Sequence, residues 1–326
     1  MRMPRLSICI PTYRQIDYLR ETLRSVQAQS FNDYELIISD DTPDDSVSRL
    51  VESFNFGDIL RYHRNPIALG SPENWNEAVR QARGVYIKLL HHDDRLAHPD
   101  ALSAFVRMLD EHPESNFAFG ASLVENITSK KSRIHRPSAA QLERLAVAPE
   151  ELFFGNIIGA PSATIYRNGL GIEYDQRMKW LVDIDFYIRV LQQNPSFIFS
   201  QEPQVVTTSG ANHQITNSSE NNAEVEILEY ALLYNKIGSK LDTALCAERV
   251  WFRLFEKYRI YSLRDLERLA FNSIFHKDEF LTNFFNIYHE KWLSRLPYRV
   301  YACLPEPIKA VMIYLRNLRN LCLSKN

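Results

Sequence analysis

Val85-Tyr86-Ile87-Lys88-Leu89-Leu90-His91-His92-Asp93-Asp94 runs from a mostly apolar segment straight into two histidines and two carboxylates. A short apolar run of this kind suits a buried strand. Residues 85–90 are therefore read as a strand that delivers four polar side chains at its carboxyl end. The same pattern recurs upstream. Leu6-Ser7-Ile8-Cys9-Ile10 is an apolar run stopped by Pro11, residues 34–39 form a second run ending at Asp40 and Asp41, and residues 59–63 are a third strand candidate. Helical signals separate these runs. Asp17 can cap a helix whose Leu19, Leu23 and Val26 recur at i, i+4 and i+7. Thr42-Pro43-Asp44-Asp45-Ser46 reads as a turn into a second helix, and residues 73–83 read as a third after Asn65-Pro66 and Gly70-Ser71-Pro72. Strand–helix alternation predicts an α/β domain with a mostly parallel central sheet covered by helices on both faces. Ligands of such sheets bind beyond the carboxyl ends of the strands. Both acidic pairs fall there.

The middle of the chain is less periodic. Residues 116–124 read as a strand, and residues 125–149, polar and basic, read as a loop or an excursion over the site. A glycine-bearing stretch from Gly155 leads into a strand at 163–166. Residues 183–193 read as a helix with Ile184, Ile188 and Leu191 on one side, and 196–200 as a short strand. Beyond about Thr216 helix formers and aromatics dominate, with Gly238 the only glycine between 220 and 295. The expected organisation is an α/β domain over 1–216 and a helical region over 217–326. Its end is basic: Lys291, Arg295, Arg299, Lys309, Arg316, Arg319 and Lys325 face Glu306 alone. Ile308, Val311, Met312, Leu315, Leu318 and Cys322 follow helical spacing. A basic amphipathic helix suits a membrane surface. Packing on the helical region or on a second subunit, as in a homodimer, explains the stripe equally well.

The formal net charge of -2 excludes nucleic-acid binding by bulk electrostatics. Cys9, Cys246, Cys303 and Cys322 are far apart and form no C-x-x-C pair, which argues against a zinc site or a disulfide framework and fits a reducing compartment. No stretch approaches the roughly 18 consecutive apolar residues of a spanning helix. Residues 1–6 show no apolar signal region. The expectation is a cytoplasmic protein, peripheral at the inner face of the cell membrane if the tail binds there.

Each acidic group has a structural reading beside a functional one. Asp40 and Asp41 suit a turn or a helix cap, or a contact to a base edge or ribose. Asp93 and Asp94 form an oxygen cluster of the kind Mg2+ or Mn2+ takes with substrate phosphates. A zinc site on His91 and His92 would need neighbouring side chains of an extended segment to point the same way, which they do not. The bland alternative is a polar loop capping the helix near Pro99. Asp183 and Asp185 open a helix, where the macrodipole favours carboxylates, and Asp183 could equally serve as a general base.

Taken in order, these segments resemble the family-2 glycosyltransferases of the GT-A fold. Leu6-Ser7-Ile8-Cys9-Ile10-Pro11-Thr12-Tyr13-Arg14 is similar to the family's first strand and nucleotide-binding loop. Glu35-Leu36-Ile37-Ile38-Ser39-Asp40-Asp41 is similar to its strand ending in two nucleotide-contacting aspartates. Asn74-Trp75-Asn76 followed by residues 84–94 resembles the segment leading to the metal-binding D-x-D. Gly159-Ala160-Pro161-Ser162 with Arg167 resembles the acceptor-side stretch, and Val182-Asp183-Ile184-Asp185-Phe186-Tyr187-Ile188-Arg189 the helix carrying the catalytic base. Gln214-Ile215-Thr216, with His213 adjacent, resembles a late motif near the donor diphosphate. Two positions depart from the pattern. His91 stands where the first aspartate of D-x-D is usual, leaving Asp93 aligned as ligand, and Val182 stands where a glutamate is usual.

The resemblance implies an inverting transfer from a nucleotide-sugar donor to a glycan or lipid-linked glycan acceptor, in surface polysaccharide or glycolipid assembly. Residues 1–100 would form the donor half and 101–216 the acceptor half. Asp183 would be the base. Pro11, Thr12, Tyr13, Arg14, Asp40, Asp41, Asn74 and Asp93 would meet the donor. Pro161, Ser162 and Asp185 would lie on the acceptor side. Asp93, with His91 and His213, would hold Mn2+ or Mg2+. The replacements at His91 and Val182 leave open a second reading, a nucleotide-sugar-binding scaffold with impaired catalysis. A nucleotidyltransferase would need a glycine-rich phosphate loop after the first strand, and Pro11-Thr12-Tyr13-Arg14 is not one.

Overall fold

The computed structural model describes residues 3–211, 214, 219–237, 241 and 244–260, with single positions at 265, 268, 269 and 308. The first half alternates as the sequence predicts. β1 (Leu6–Thr12) leads to α1 (Ile16–Gln27), β2 (Tyr34–Asp40) to α2 (Ser46–Glu52), and β3 (Leu60–Arg64) to α3 (Glu73–Arg80), before β4 (Tyr86–Leu89). All residues of β1, β2 and β4 are buried. That is the signature of strands covered on both faces. α1 turns Leu19, Thr22, Leu23 and Val26 inward, the one-sided stripe its 3.6-residue period sets.

A two-residue strand β5 (Arg95–Leu96) follows the acidic loop and precedes α4 (Ala101–Asp110). The chain continues through β6 (Phe117–Asn126), β7 (Lys131–His135), α5 (Ala139–Val147), β8 (Thr164–Arg167), α6 (Val182–Gln193) and β9 (Phe197–Ser209). The sheet order is β3-β2-β1-β4-β8-β6-β9-β5, with β7 on β6. β3, β2, β1 and β4 are mutually parallel. β8 runs antiparallel to both β4 and β6, and β9 parallel to β6.

Two expectations need correction. Residues 125–149 are not a loop: β6 continues to Asn126, β7 pairs antiparallel with it, and α5 follows. β7 is exposed along most of its length, so burial gave its sequence no alternation to read. α5 opens with a capping box in which Ser138 and Gln141 satisfy each other's backbone amides, a Ser-x-x-Gln signal present in the sequence. The strand at 196–200 is also longer, reaching Ser209. Its polar Gln201-Glu202 and Pro203 read as a stop. Instead the register shifts: Gly120 pairs Ser200 while Ala121 pairs Pro203. The irregularity absorbs a residue that cannot donate to the ladder.

The chain divides into two compact units, Met1–Asn221 with Leu232–Gly238, and Asn222–Ala231 with Ser239–Asn326. α7 (Ala223–Ile237) and α8 (Ala244–Tyr258) carry the helical character expected of this region. Within the second unit Tyr230 meets Trp251 edge-on at 6.5 Å, and Lys257 pairs Glu226 at 2.7 Å. The basic tail lies outside the described residues, apart from Ile308.

One glycine is set by close approach. A Cβ on Gly84 would sit 2.6 Å from the Ser7 amide nitrogen and 2.7 Å from the Leu6 carbonyl carbon. The Gly84 amide donates to Ser7 Oγ at 2.8 Å. Gly84 thus lets β4 enter beside β1. Gly84→Ala should lower stability by about 1–3 kcal/mol, the usual cost of overpacking. Gly155→Ala, where a Cβ meets nothing within 4 Å, should be near neutral. Urea denaturation of both variants checks this, and equal midpoints would contradict it.

Candidate active site

The register of the parallel strands fixes the site's place. Thr12 lies opposite Asp40, and Cys9 opposite Leu89. The carboxyl ends of β1, β2 and β4 therefore share one edge. There Arg14 and Gln15 take positive φ, 58° and 47°, turning the chain sharply after Tyr13. Tyr13 is exposed, and the Arg14 guanidinium lies 5.0 Å from its ring centre. The Asp41 amide donates to the Thr12 carbonyl at 2.9 Å, and Asn74 Nδ2 donates to the same oxygen at 3.2 Å.

Asp40 and Asp41 are both buried and organise this edge from within. Asp40 accepts from the Thr42 amide at 2.8 Å and from the Tyr62 hydroxyl at 2.7 Å. Asp41 accepts from Asn65 Nδ2 at 2.8 Å and from the Leu69 and Gly70 amides at 3.0 and 2.8 Å. Asp41 thus ties the 65–70 loop to β2.

α3 supplies three neighbouring clamps. Asn74 reaches the β1 edge and accepts from Asn65 at 3.1 Å. Trp75 packs its ring on His91, with centroids 4.5 Å apart, and edge-on against Tyr174 at 5.3 Å. Asn76 donates to the Tyr174 carbonyl at 2.9 Å and accepts from its amide at 2.8 Å.

Beyond β4 the chain brings His91, Asp93 and Asp94 together: one potential ligand atom from each lies within 4.8 Å of the others. His91 Nε2 is buried with no hydrogen-bond partner among the described residues. Burial pushes the His91 imidazole down to about 4, so it is neutral at physiological pH. Burial, then the charge of Asp93, pushes Asp94 up to about 8. The cluster is braced from β9. The Thr208 hydroxyl donates to the Asp93 carbonyl at 2.7 Å and its amide to Asp94 Oδ1 at 3.2 Å. Gln214 Nε2 reaches Asp93 Oδ2 at 3.1 Å. His92 points elsewhere, its Nδ1 lying 3.3 Å from the Pro11 carbonyl. A buried imidazole with one orphaned nitrogen, on a residue that clusters with two carboxylates, fits a divalent cation. His213 lies outside the described residues.

The segment from Asn156 to Ser162 links this cluster to Asp183. Asn156 Nδ2 donates to Asp183 Oδ2 at 2.7 Å and to the Gly159 carbonyl at 3.0 Å, while its Oδ1 accepts from the Ile158 and Gly159 amides. Asp183 Oδ1 accepts from the Ile184 amide at 2.8 Å, and the residue is partly exposed at the start of α6. At the other end of the segment, after Pro161, Ser162 Oγ accepts from the His91 amide at 2.9 Å and bonds to Asp94.

Sequence reasoning missed two groups. Asn156 carried no signal beyond lying in a glycine-bearing stretch. Lys88 did carry one, a lysine inside an otherwise apolar strand. Its ammonium is fully buried, donates to the Ser162 and Thr164 carbonyls, and lies 4.4 Å from the Phe105 ring centre. Burial pushes it down to about 7, against the pull of Asp94.

Residues 7–161 match the profile described as Glycosyl transferase family 2. That stretch, a little under half of the chain, is similar to the family-2 glycosyltransferases. An uncharacterized protein of Mycobacterium tuberculosis is 30% identical over 207 residues, 58% of this chain and 62% of that protein. An uncharacterized protein of Sinorhizobium fredii is 34% identical over 36% of this chain and 13% of its own length. The chain thus spans less than two thirds of either relative. A PGL/p-HBAD biosynthesis glycosyltransferase of Mycobacterium bovis is 28% identical over 74% of this chain and 89% of its own. Among solved structures, S. aureus TarS 1–349 in complex with UDP-GlcNAc superposes with a TM-score of 0.60 at 17% identity, covering 96% of this chain and 87% of that one. The mannosyltransferase PcManGT of Pyrobaculum calidifontis, in complex with GDP-Man and Mn2+, gives 0.51 at 15% identity, covering 98% and 88%. These two likenesses establish the glycosyltransferase fold.

Within this glycosyltransferase fold Asp185, expected on the acceptor side, is 1% exposed with both oxygens held by cations. Arg189 donates to Oδ2 at 2.6 and 2.9 Å, and Lys236 to Oδ1 at 2.6 Å. Lys236 also pairs Asp175 at 2.6 Å. Asp185→Ala should lower stability by about 3 kcal/mol, the lower end for breaking a buried pair, because Lys236 keeps a second partner. Chemical denaturation measures it, and a loss below about 1 kcal/mol would match only a surface pair.

Proposed function

We propose that this chain transfers a sugar from a nucleotide-sugar donor to an acceptor hydroxyl with inversion at the anomeric carbon, in surface polysaccharide or glycolipid assembly. The observation that carries the reading is the Asn156–Ser162 segment, which orients Asp183 at one end and the His91–Asp94 loop at the other. A base and a phosphate-side cluster held by one short segment are what a single displacement requires. The family match, and the donors bound by TarS and PcManGT, support the substrate class.

In this reading Pro11, Thr12, Tyr13, Arg14, Asp40, Asp41 and Asn74 form the donor end. Asp41 acts there through the 65–70 loop that it holds. Asp183 takes the proton of the acceptor hydroxyl. The acceptor oxygen then bonds to the anomeric carbon from the face opposite the nucleotide, and the bond to the diphosphate breaks with its electron pair. Asn156 and the Ile184 amide fix the direction of the Asp183 carboxylate. His91, Asp93 and Asp94 would hold a divalent cation, which when bound neutralises charge on the departing diphosphate. The acceptor is a glycan or a lipid-linked glycan, presented at the inner membrane face if the basic tail attaches there. No helix of the described residues is long and apolar enough to cross a membrane.

Asp183→Asn keeps the shape but cannot accept a proton. It should lower single-turnover transfer by roughly 10²–10⁴-fold, with donor affinity by calorimetry nearly unchanged. Transfer at the parental rate would refute the assignment.

Metal affinity should also follow pH. With Asp94 pushed up to about 8, a cation must displace its proton below that pH. Mn2+ affinity should therefore rise with pH, by up to about tenfold per unit, and level off above about 8. His91, already neutral above about 4, adds nothing in that range. Titration calorimetry with Mn2+ alone tests this, and a flat profile between about pH 6 and 8 would contradict it.

A further inference from the structure

The metal-side cluster is not an all-oxygen site. Where the D-x-D pattern has its first carboxylate, this chain has His91, and the ring is held as a ligand would be. Its backbone amide is tied to Ser162 Oγ at 2.9 Å. One face packs on Trp75 at 4.5 Å between centroids. Nε2 is buried without a hydrogen-bond partner among the described residues. Such an orphaned polar atom is costly unless something binds it. The carboxylates of Asp93 and Asp94, which cluster with His91 within 4.8 Å, accept from Gln214 Nε2 and the Thr208 amide, and hydrogen bonds of this kind orient the ligands of a metal. Ligands about 2.0–2.2 Å from a shared cation lie up to about 4.4 Å apart, so small side-chain rotations would close this cluster on an ion.

Nitrogen in the ligand set changes which ion is preferred. Mg2+ demands oxygen ligands and dehydrates reluctantly. First-row transition dications accept imidazole, with affinity rising from Mn2+ to Co2+ and beyond. We propose that His91 ligates the donor-site cation through its imidazole, making a mixed nitrogen–oxygen site that takes Mn2+ and Co2+ in preference to Mg2+. This rests on the reading of the site as a divalent-cation site. It goes beyond that reading by assigning the selectivity to one side chain.

The test uses the full chain with metal alone and no donor. Calorimetric titrations with Co2+, Mn2+ and Mg2+ are compared for the parent, His91→Asp and Asp93→Asn. Electron spin-echo modulation of the Mn2+-loaded protein reads nitrogen ligation directly. The parent should bind Co2+ at least about tenfold more tightly than Mg2+, with Mn2+ between them, and should show nitrogen modulation. His91→Asp should still bind metal, lose the modulation and bring the Co2+ to Mg2+ ratio closer to one. Asp93→Asn should weaken all three ions. A parent that binds metal without nitrogen modulation, or a ratio unchanged in His91→Asp, overturns the inference and leaves the cation reading standing. A parent that binds none of the three ions overturns both. If His91→Asp fails to fold, His91→Gln gives the same comparison, because loss of the nitrogen signal needs only removal of the imidazole.

Discussion

A fully buried lysine holds the two halves of this domain in register. Lys88 lies in the middle of a buried strand, and its amino group donates to the carbonyl oxygens of Ser162 and Thr164. A buried donor left without an acceptor costs several kcal/mol, whether charged or neutral, so the segment carrying those carbonyls is tied to one position against β4. That segment places Ser162 Oγ under the His91 amide and leads back, through Gly159, to Asn156 and the Asp183 carboxylate. The parallel first part of the sheet and its mixed second part meet at this contact. The β4–β8 pairing beside it, Tyr86 with Arg167 and Ile87 with Tyr166, continues the sheet across the boundary.

The six aspartates singled out in the sequence are chemically identical and end in different states. Asp40 and Asp41 become internal fasteners, satisfied by amides, an asparagine and a tyrosine hydroxyl. Asp185 becomes the centre of an ion-pair network. Asp94, buried near the like charge of Asp93, resists ionisation. Asp183 stays partly exposed with its orientation fixed by Asn156. Environment, through desolvation, neighbouring charge and hydrogen bonding, divides one residue type into structure and chemistry.

Legibility followed burial. β1, β2 and β4 were readable because strands buried on both faces are mostly apolar runs. α1 was readable because one of its faces is buried. β7, lying at an exposed edge, had no such constraint and left no pattern. The second half of β9 was hidden by Gln201, Glu202 and Pro203, which a bulge against Gly120 and Ala121 accommodates. In the candidate site the acidic clusters and Asn74-Trp75-Asn76 stood out as groups. The partners that fix them come from elsewhere in the chain: Asn156 lies 27 residues from Asp183, Lys88 76 from Thr164, and Thr208 115 from Asp93.

The sequence by itself determined the strand–helix alternation of residues 6–89 and the delivery of Asp40, Asp41, His91, Asp93 and Asp94 at strand ends. Periodicity and apolar runs are local properties, and a parallel sheet turns them into position. Only the tertiary structure decided which carboxylates are consumed as fasteners, which histidine of the His91–His92 pair clusters with the carboxylates, and how Asp183 is aimed. Those outcomes depend on hydrogen-bond partners and low-dielectric surroundings assembled from distant segments, and no window of sequence contains them.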